Sequence, residues 1–581
     1  MQCNRCQHEN EAGAKFCEEC ATPLARGCAN CGHQLSRTAK FCPECACPTG
    51  SASALTTDKR FGSPGTYTPK HLAEKILTSR SALEGERKQV TVLFADLKGS
   101  MELLADRDPE EARKLLDPVL ERMMEAVHRY EGTVNQVMGD GIMALFGAPL
   151  AHEDHAVRAC YAAIRMQENV SKYAEEARRS HAAVINIRVG LNSGEVVVRA
   201  IGSDLRMDYT AVGQTTHLAA RMEQLADPGA IVITPDTLAL AEGYIQVKSL
   251  GPVPVKGVVD RLEIYEVVCT GPARTRLQAA ARRGLTRFVG RDGEIEQLRR
   301  AQQLANAGRG QVAAIVGEAG VGKSRLVYEL IHSHRLHGWL VLESSSVSYG
   351  KATSYLPVID LLKGYFKIQD RDDHREIREK VTGKLLTLDD SLKSTLPALL
   401  ALLDVPVDDA AWGTPDLAQR RRRTLDAIKR LLLREAREQP LLLVFEDLHW
   451  IDSETQALLD GLVEGLASSR VLLLVDYRPQ YEHRWGTRTY YSQMRLDALP
   501  AESAGDLLQA LLGDDASLEP LKQLLIKRGN PFFLEESVRT LVETKALEGD
   551  RGRYRLTRPV QSLQVPPSAG DPRLPDRPAA G

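Results

Sequence analysis

The chain contains 581 residues, so at roughly 150 residues per domain it is long enough for about four domains. It has 75 Lys and Arg residues against 77 Asp and Glu residues, which gives a formal net charge of -2. The chain as a whole is therefore not charged strongly enough to drive binding to nucleic acid or to an anionic membrane. No apolar run reaches the roughly 18 to 20 residues of a membrane-spanning helix, and the first residues lack the apolar core of a secretory signal. We therefore expect a cytoplasmic multidomain protein without a membrane partner.

Composition divides the chain into consecutive segments. The first holds nine of the eleven cysteines, and two later segments alternate strand-like runs with helical periodicity. The strands of the last domain are continuously apolar, which is typical of a parallel sheet covered on both faces. The predicted segments are a cysteine module (1–47), a linker (48–86), an α+β domain (87–270), a second linker (271–284), an α/β domain with a parallel sheet (285–548) and a tail (549–581).

The cysteines of the first module form four Cys-x-x-Cys pairs in two repeats of the same spacing. Two such pairs supply the four thiolates of a tetrahedral zinc site, and a zinc ion ligated only by protein is structural. The region resembles the double zinc ribbon family; the alternative is that the thiols carry no metal. The predicted ligands of two Zn2+ ions are Cys3, Cys6, Cys17, Cys20, Cys28, Cys31, Cys42 and Cys45.

Two aspartates of the α+β domain are predicted to lie at the ends of neighbouring strands. Asp96 follows an apolar strand predicted over 90–94, and Asp140 stands at the Gly-flanked tip of a hairpin predicted over 137–146. Such a pair can hold divalent ions against a triphosphate, since Mg2+ prefers a few carboxylates together with phosphate oxygens. The alternative for each aspartate is an ordinary turn residue.

Five short motifs follow one another in this domain: Phe-Ala-Asp-Leu-Lys-Gly-Ser (94–100), Met-Gly-Asp-Gly (138–141), Val-Gly-Leu-Asn-Ser-Gly-Glu (189–195), the segment 209–223 and Val-Lys-Gly (255–257). Together they resemble the catalytic domain of the class III adenylate and guanylate cyclases. The resemblance implies a ferredoxin-like α+β fold and a head-to-tail homodimer with active sites at the interface. It also implies attack of the 3′-oxygen on the α-phosphorus, with pyrophosphate as the leaving group.

The resemblance assigns the charged residues of this reaction. Asp96 and Asp140 match the two aspartates that bind Mg2+ or Mn2+, with the carbonyl oxygen of Leu97 as a further ligand. Arg221 matches the arginine that stabilises charge on the transferred phosphorus, and Lys256 matches the lysine that holds the terminal phosphates. We therefore expect cyclase chemistry.

The base and ribose positions depart from the family pattern. Gln136 stands where a purine-reading lysine is expected, Thr210 where many members carry aspartate, and His217 where an asparagine orients the ribose. Threonine is common at that position in one subclass of adenylate cyclases. The amide of a glutamine can pair with either purine, so the choice between ATP and GTP stays open. These departures also keep open a catalytically weak or inactive cyclase-like scaffold that only dimerises.

A second nucleotide-binding pattern, Gly-Glu-Ala-Gly-Val-Gly-Lys-Ser (317–324), lies between a predicted strand and a predicted helix. In such a P-loop, backbone amides surround the phosphates, the lysine contacts the β- and γ-phosphates and the serine binds Mg2+. A later apolar strand ends in two acids suited to holding metal-bound water and activating the attacking water. The predicted ATP-binding residues are Gly317, Gly320, Gly322, Lys323, Ser324, Glu446, Asp447 and Arg478.

Further motifs of this domain are Phe-Val-Gly-Arg (288–291), Asp-Tyr-Arg-Pro (476–479) and Gly-Asn-Pro-Phe-Phe-Leu-Glu-Glu (529–536). With the P-loop they resemble the AAA-type signal-transduction ATPases, which are nucleotide-gated switches and often follow a cyclase domain. The resemblance places Arg478 at a sensor position near the γ-phosphate. The basic run 420–423 is interpreted as a solvent-facing side of a helix, so we do not expect a nucleic acid partner.

The whole sequence predicts an adenylate cyclase that acts in signal transduction. In this interpretation an ATP-binding switch domain controls the conversion of ATP to cyclic AMP, together with an unidentified signalling partner. The Pro-rich residues 569–581 are interpreted as a frameshifted ending, because a one-base shift of a synonymous coding sequence yields the helix start that follows Val-Pro-Pro-Ser in this ATPase family. The alternative is a native disordered tail.

Overall fold

The structure is a computed structural model. It describes residues 8, 19, 67–79, 87–99, 108–181, 184–200, 207–210, 215–255, 261–271, 273, 275–282, 284–369, 372–407, 410–413, 416–527 and 529–559. The eight predicted zinc ligands, Lys256 and the predicted frameshifted ending lie outside these residues. Within the described ranges, no helix has both the length and the apolar character needed to cross a membrane.

The α+β domain is built on an eight-stranded sheet. Its strands are β1 (Arg87–Leu97), β2 (Thr133–Val137), β3 (Gly141–Phe146), β4 (Ile187–Ala200), β5 (Met207–Thr210), β6 (Ile231–Ile233), β7 (Ile245–Val253) and β8 (Leu262–Thr270). The order is β2-β3-β1-β4-β6-β8-β7, and β5 pairs with β4. The central strand β1 is antiparallel to both β3 and β4, so residues from three strands meet at each of its ends.

Within the described residues, five helices accompany this sheet: α1 (Lys70–Ser79), α2 (Pro109–Arg129), α3 (His155–His181), α4 (Thr215–Leu225) and α5 (Pro235–Ala241). Helix α2 begins after Asp108, whose carboxylate accepts a hydrogen bond from the Glu110 amide at 2.9 Å, and Pro109 occupies its first turn. Its apolar residues recur at helical spacing and pack with those of α3 against the sheet, where Met123 and Met166 are fully buried. These contacts form the main core of the domain.

Helix α4 lies directly on β4 at a glycine. A Cβ atom on Gly190 would lie 1.9 Å from the amide nitrogen of Glu223 and 2.5 Å from the carbonyl oxygen of Ala219. No other residue fits there without moving the helix backbone. Gly190 therefore sets the height of α4, which carries His217 and Arg221, above the sheet.

The C-terminal domain is built on a five-stranded parallel sheet in the order β10-β11-β12-β9-β13. Its strands are β9 (Gln311–Val316), β10 (Leu340–Ser345), β11 (Leu441–Glu446), β12 (Val471–Tyr477) and β13 (Tyr491–Arg495), followed by a hairpin of β14 (Leu547–Glu548) and β15 (Arg555–Leu556). Every residue of β11 and β12 is buried, as a sheet covered on both faces requires.

The remaining helices of the described residues follow the first domain in the chain. They are α6 (Arg276–Arg282), α7 (Asp292–Asn306), α8 (Lys323–Ile331), α9 (Leu356–Phe366), α10 (His374–Leu388), α11 (Leu396–Leu402), α12 (Ala410–Gly413), α13 (Leu417–Glu438), α14 (Ser453–Gly465), α15 (Ala501–Leu512), α16 (Glu519–Ile526) and α17 (Pro531–Glu543). The predicted classes, an α+β domain followed by an α/β domain with a parallel sheet, are confirmed.

Two short elements lie in the predicted linker and the predicted tail, and the first of them overlaps a short amphipathic stretch near residues 71–83 of the linker sequence. Helix α1 falls within the predicted linker 48–86, yet Leu72 is fully buried against the sheet and the ammonium of Lys75 lies 2.8 Å from the carboxylate of Glu131. Strand β15 falls within the predicted tail 549–581 and pairs with β14. Helix α1 depends on contacts with residues distant in the sequence, which local composition does not reveal, whereas β15 belongs to a local hairpin.

Candidate functional site

The structure brings together the two aspartates that the sequence singles out. Asp96 is the next-to-last residue of β1 and pairs with Gly141 on β3, while the Leu97 amide donates a hydrogen bond to the carbonyl of Asp140 at 3.2 Å. The sequence predicts that Asp96 follows its strand, but in the structure the strand continues through Asp96 to Leu97. A Cβ atom on Gly141 would come within 2.8 Å of Asp96 Oδ1, so this glycine leaves room for the carboxylate. Both carboxylates therefore lie at the same edge of adjacent strands.

The electrostatics of this pair favour a cation. Burial raises the pKa of Asp96, and the carboxylate of Asp140 raises it further, whereas Arg188 opposes the rise. Among the described residues, no group of three or more His, Cys, Asp and Glu side chains has the geometry of a metal site. Two carboxylates supply only part of the shell of Mg2+ or Mn2+, and phosphate oxygens of a substrate would complete it. The hard oxygen donors fit these ions.

Arg188 and Glu223 belong to this site although neither has a role predicted from the sequence. Arg188 lies opposite Asp96 in the pairing of β1 with β4, and its Nη2 atom lies 3.3 Å from Asp96 Oδ2. The same nitrogen lies 2.7 Å from Glu223 Oε1, and Glu223 is only 8% exposed. The close approach at Gly190 places Glu223 within this reach. Arg188 is thus held from two sides and orients Asp96.

Helix α4 presents its two predicted catalytic residues on another face. The side chain of Glu223 points toward Arg188, and residues two apart on a helix do not face each other. Arg221, two residues earlier, instead donates a hydrogen bond to Gln224 Oε1 at 2.5 Å, and the exposed His217 lies one turn before it on the same side. Within one chain, Arg221 therefore does not face Asp96.

The predicted base-reading residues are far less constrained. Gln136 is exposed on β2, opposite Met143 and next to a break in the strand register. Thr210 is the last residue of β5 and pairs with Val197. The described part of the chain contains no contact that selects adenine or guanine, so their roles remain predictions.

The P-loop has the predicted position between β9 and α8. Gly320 and Gly322 have φ values of 80° and 101°, which glycine adopts readily and other residues rarely do. Lys323 is the first residue of α8 and is 7% exposed. Its ammonium donates hydrogen bonds of 3.1 Å to the carbonyl oxygens of Gly317 and Glu318. The loop therefore curls around the ammonium that is predicted to contact the β- and γ-phosphates.

Three acids lie near the P-loop lysine: the predicted Glu446 and Asp447, and in addition Asp476. Glu446 ends β11, Asp447 follows it, and the Asp447 amide donates a hydrogen bond to Asp476 Oδ1 at 3.2 Å. Asp476 is only 1% exposed near the end of the neighbouring strand β12. Because parallel strands end at the same edge of a sheet, Asp476 joins the pair.

Burial and mutual repulsion disfavour the charged forms of these three acids. Burial raises the pKa of Glu446 to about 7, opposed by a hydrogen bond from Ser324 and reinforced by Asp447. Burial also raises the pKa of Asp476 well above its ordinary value, and Glu446 adds to the rise. In the described chain, Glu446 Oε2 and Arg478 Nε are buried without a hydrogen-bond partner. Mg2+ and ATP phosphates fit these groups, because they would neutralise the acids and pair with the guanidinium.

The raised pKa of Glu446 predicts a pH-dependent stability. The folded state holds the proton of Glu446 more tightly than the unfolded state, so this stabilisation is present below pH 4.5 and is lost as the pH rises to about 7. Without metal or nucleotide, we expect the free energy of unfolding of the wild type, relative to that of Glu446→Gln, to fall by roughly 1 to 3 kcal/mol across this window. Urea denaturation at both ends of the window measures it.

The matched control for this experiment is Glu464→Gln, because the side chain of Glu464 is 66% exposed. This substitution should leave the pH dependence unchanged. An equal effect of Glu446→Gln at both ends of the window would contradict the raised pKa.

Three family models match the chain in the order of its sequence motifs. Residues 3–46 match the double zinc ribbon, residues 84–269 the adenylate and guanylate cyclase catalytic domain, and residues 287–475 the AAA ATPase domain. The three resemblances are confirmed, and the chain contains these domains. The first supports zinc as a ligand of the cysteine module, and the second supports Mg2+ or Mn2+ in the α+β domain.

Two curated relatives come from Rhizobium meliloti (strain 1021). Adenylate cyclase 1 is 31% identical over 206 residues, which are 35% of this chain and 31% of that protein. An uncharacterized protein is 25% identical over 495 residues, which are 81% of this chain and 46% of that protein. The chain thus spans about a third of the first relative and less than half of the second.

Similar solved structures cover the cyclase domain. The adenylyl cyclase CyaB from P. aeruginosa is 33% identical with a TM-score of 0.31, and the match covers 32% of this chain and 96% of that one. The guanylyl cyclase Cya2 is 32% identical with a TM-score of 0.31, covering 33% of this chain and 98% of that one.

Proposed function

We propose that this protein is an adenylate cyclase that converts ATP to cyclic AMP and pyrophosphate. The observation that carries the proposal is the placement of Asp96 and Asp140 at one edge of adjacent strands, with Asp96 oriented by Arg188. These carboxylates would hold Mg2+ or Mn2+, which supplies Lewis-acid activation of the 3′-hydroxyl and neutralises phosphate charge. Arg221 stabilises the charge that develops at the α-phosphorus.

The orientation of helix α4 supports a homodimer with shared active sites. Arg221 and His217 lie on a face of the helix away from Asp96 of the same chain. A second copy in a head-to-tail arrangement would bring that face of its own α4 to the metal site. We therefore infer that Asp96 and Asp140 come from one subunit, and that Arg221 and the ribose-orienting His217 come from its partner.

The preference for adenine rests on two observations. Thr210 is the residue found at this position in one subclass of adenylate cyclases, and the curated relative at 31% identity is an adenylate cyclase. Gln136, exposed on β2, would pair with the purine edge through its amide, and Lys256 would hold the terminal phosphates. The departures at Gln136 and His217 remain the basis for the alternative of a weak or inactive scaffold.

The P-loop domain is proposed to bind and hydrolyse ATP and to control the cyclase. Lys323 and Ser324 would contact the phosphates and Mg2+, Glu446 and Asp447 would hold the attacking and metal-bound waters, and Arg478 would sense the γ-phosphate. The zinc ribbons are proposed to hold two structural Zn2+ ions and to face a signalling partner. A cytoplasmic location fits this set of activities.

The decisive test is to incubate the purified chain with Mg2+ or Mn2+ and either ATP or GTP and to identify products by mass spectrometry. Faster formation of cyclic AMP from ATP than of cyclic GMP from GTP supports the adenylate cyclase assignment. The reverse order identifies a guanylate cyclase. Hydrolysis of ATP without any cyclic nucleotide would favour the scaffold.

Lys323→Ala separates the two nucleotide sites. The loss of this ammonium should reduce ATP hydrolysis by about 100-fold or more, because a charge that contacts the transferred phosphoryl group is removed. Cyclic nucleotide formation should change in rate but persist, since Lys323 lies in a different domain from Asp96. A variant that retains wild-type hydrolysis would contradict the P-loop assignment, and parallel phosphate-release and cyclase assays measure both effects.

A further inference from the structure

The cyclase domain and the P-loop domain contact each other through a small aromatic surface. Tyr130, which follows α2, and Arg158 on α3 face Tyr349 in the 3-10 turn Ser348–Ala352. The ring centroids of Tyr130 and Tyr349 are 5.1 Å apart, and the Arg158 guanidinium lies 4.8 Å from the Tyr349 centroid. Arg158 also donates a hydrogen bond to the Ser348 hydroxyl. These four residues are named the interdomain surface.

Arg158 is held firmly on the cyclase side of this surface. Its side chain is 3% exposed; Nε lies 2.7 Å from Asp154 Oδ1 and Nη1 lies 2.9 Å from Glu131 Oε2. These two carboxylates bind the guanidinium through its nitrogens, while its central carbon lies over the face of the Tyr349 ring. A displacement of Tyr349 therefore acts on a group that is fixed to the cyclase fold.

On the other side, the turn that carries Tyr349 is attached to the acids of the P-loop site. The Ser346 amide donates a hydrogen bond to the carbonyl of Glu446 at 2.9 Å. The ammonium of Lys351 lies 5.2 Å from the ring centroid of Trp450, whose amide donates a hydrogen bond to the Asp447 carbonyl at 2.9 Å. A shift of Glu446 or Asp447 on nucleotide binding or hydrolysis thus reaches this turn from both ends.

Within the cyclase domain, the start of α3 contacts the two strands that carry the metal site, five residues along each strand from Asp96 and Arg188. Its first residue, His155, has Nδ1 2.8 Å from the hydroxyl of Thr91 on β1. The Thr91 hydroxyl lies 2.8 Å from that of Ser193 on β4. All three residues are buried, and these two strands carry Asp96 and its partner Arg188. The start of α3 is therefore hydrogen-bonded to the strands that set the geometry of the metal site.

A second contact between the domains is weaker. The Arg276 Nη1 atom lies 2.9 Å from Glu153 Oε2, and its guanidinium lies 4.7 Å from the ring of Phe532, whose amide donates to the Gly320 carbonyl. The side chains of Arg276 and Glu153 are 58% and 85% exposed. An exposed ion pair shifts an equilibrium by less than about fivefold. The partly buried aromatic surface, with Arg158 at its centre, is therefore the stronger link.

We propose that the interdomain surface couples the nucleotide state of the P-loop to the cyclase metal site, and that the coupling depends on the ring of Tyr349. This inference rests on the proposed control of the cyclase by the P-loop domain and names the contact that exerts it. A double-mutant cycle measures the coupling between two sites directly and therefore tests this proposal.

The cycle uses four full-length proteins: the wild type, Lys323→Ala, Tyr349→Ala and the double variant. The quantity compared is the rate of cyclic nucleotide formation. We expect Lys323→Ala to change the rate of cyclic nucleotide formation by at least about fivefold when Tyr349 is present, and by less than about twofold with Tyr349→Ala. Tyr349→Phe keeps the ring and should keep the full effect. The matched control is Tyr328→Ala, which removes a ring stacked on His332 within the P-loop domain and should also keep it.

Hydrogen exchange provides a readout that does not depend on cyclase activity. ATP with Mg2+ should slow amide exchange over residues 152–161, and Lys323→Ala or Tyr349→Ala should each abolish that protection. Protection that persists in Tyr349→Ala, or an equal effect of Lys323→Ala in both backgrounds of the cycle, would overturn the inference. Either of these results would leave the proposed function intact. The absence of any cyclic nucleotide would instead reject the proposed function, and the hydrogen-exchange experiment would then test the coupling by itself.

Discussion

Asp96→Asn is expected to lower cyclic nucleotide formation by about 100-fold or more, because a charged metal ligand is replaced by a neutral amide. The substitution keeps the size of the side chain, and Arg188 retains Glu223 at 2.7 Å as its ion-pair partner, so the fold should persist. ATP hydrolysis at the P-loop should stay at the wild-type rate, since its acids lie in another domain. Paired cyclase and phosphate-release assays measure the two rates on one preparation.

The matched control is Asp227→Asn, an exposed aspartate just beyond α4 in the same domain. It removes an equal charge and should leave both rates unchanged. Wild-type cyclase activity in Asp96→Asn would reject the metal-site assignment. A loss of both activities together would instead mean that the substitution disturbs the whole chain rather than the metal site.

The aspartate pair could be predicted from sequence because its signals are local. Asp96 follows an apolar run, and Asp140 is flanked by Gly139 and Gly141 at the tip of a hairpin of two adjacent strands. The P-loop is equally local, since one strand, one loop and one helix contain it. In both cases the residues that predict the site are also the residues that build it.

The partners of these residues depend on contacts that only the fold creates. Arg188 meets Asp96 through the pairing of strands about ninety residues apart, and Glu223 reaches Arg188 only because Gly190 lets α4 approach β4. Arg188 lies between two buried residues of β4, and this alternation predicts that its side chain lies on the opposite face of the sheet. The pattern does not predict which residue the side chain contacts. The sequence predicts that Asp476 ends an apolar strand. Its position beside Glu446 depends on the order of the strands in the sheet, which the sequence does not predict.

Mixing Asp96→Asn with Arg221→Ala is expected to restore about one quarter of the wild-type cyclase activity, although each variant alone is inactive. If the two residues act across a two-fold dimer, half of the randomly formed dimers contain both variants, and each of these has one intact site of two. The geometry of α4 motivates the test, because Arg221 and Glu223 lie on different faces of the helix. The rate is measured after subunit exchange, which differently tagged subunits verify.

The matched control is a mixture of Asp96→Asn with Asp140→Asn. Both carboxylates belong to the same half of the site, so in a mixed dimer each site lacks one metal ligand and no activity should return. Recovery in both mixtures would indicate residual activity of the variants rather than shared sites. No recovery in either mixture, despite verified exchange, would place Arg221 and Asp96 in one chain and require α4 to turn its outer face toward the sheet. Recovery in the first mixture alone therefore assigns the two halves of the active site to different subunits.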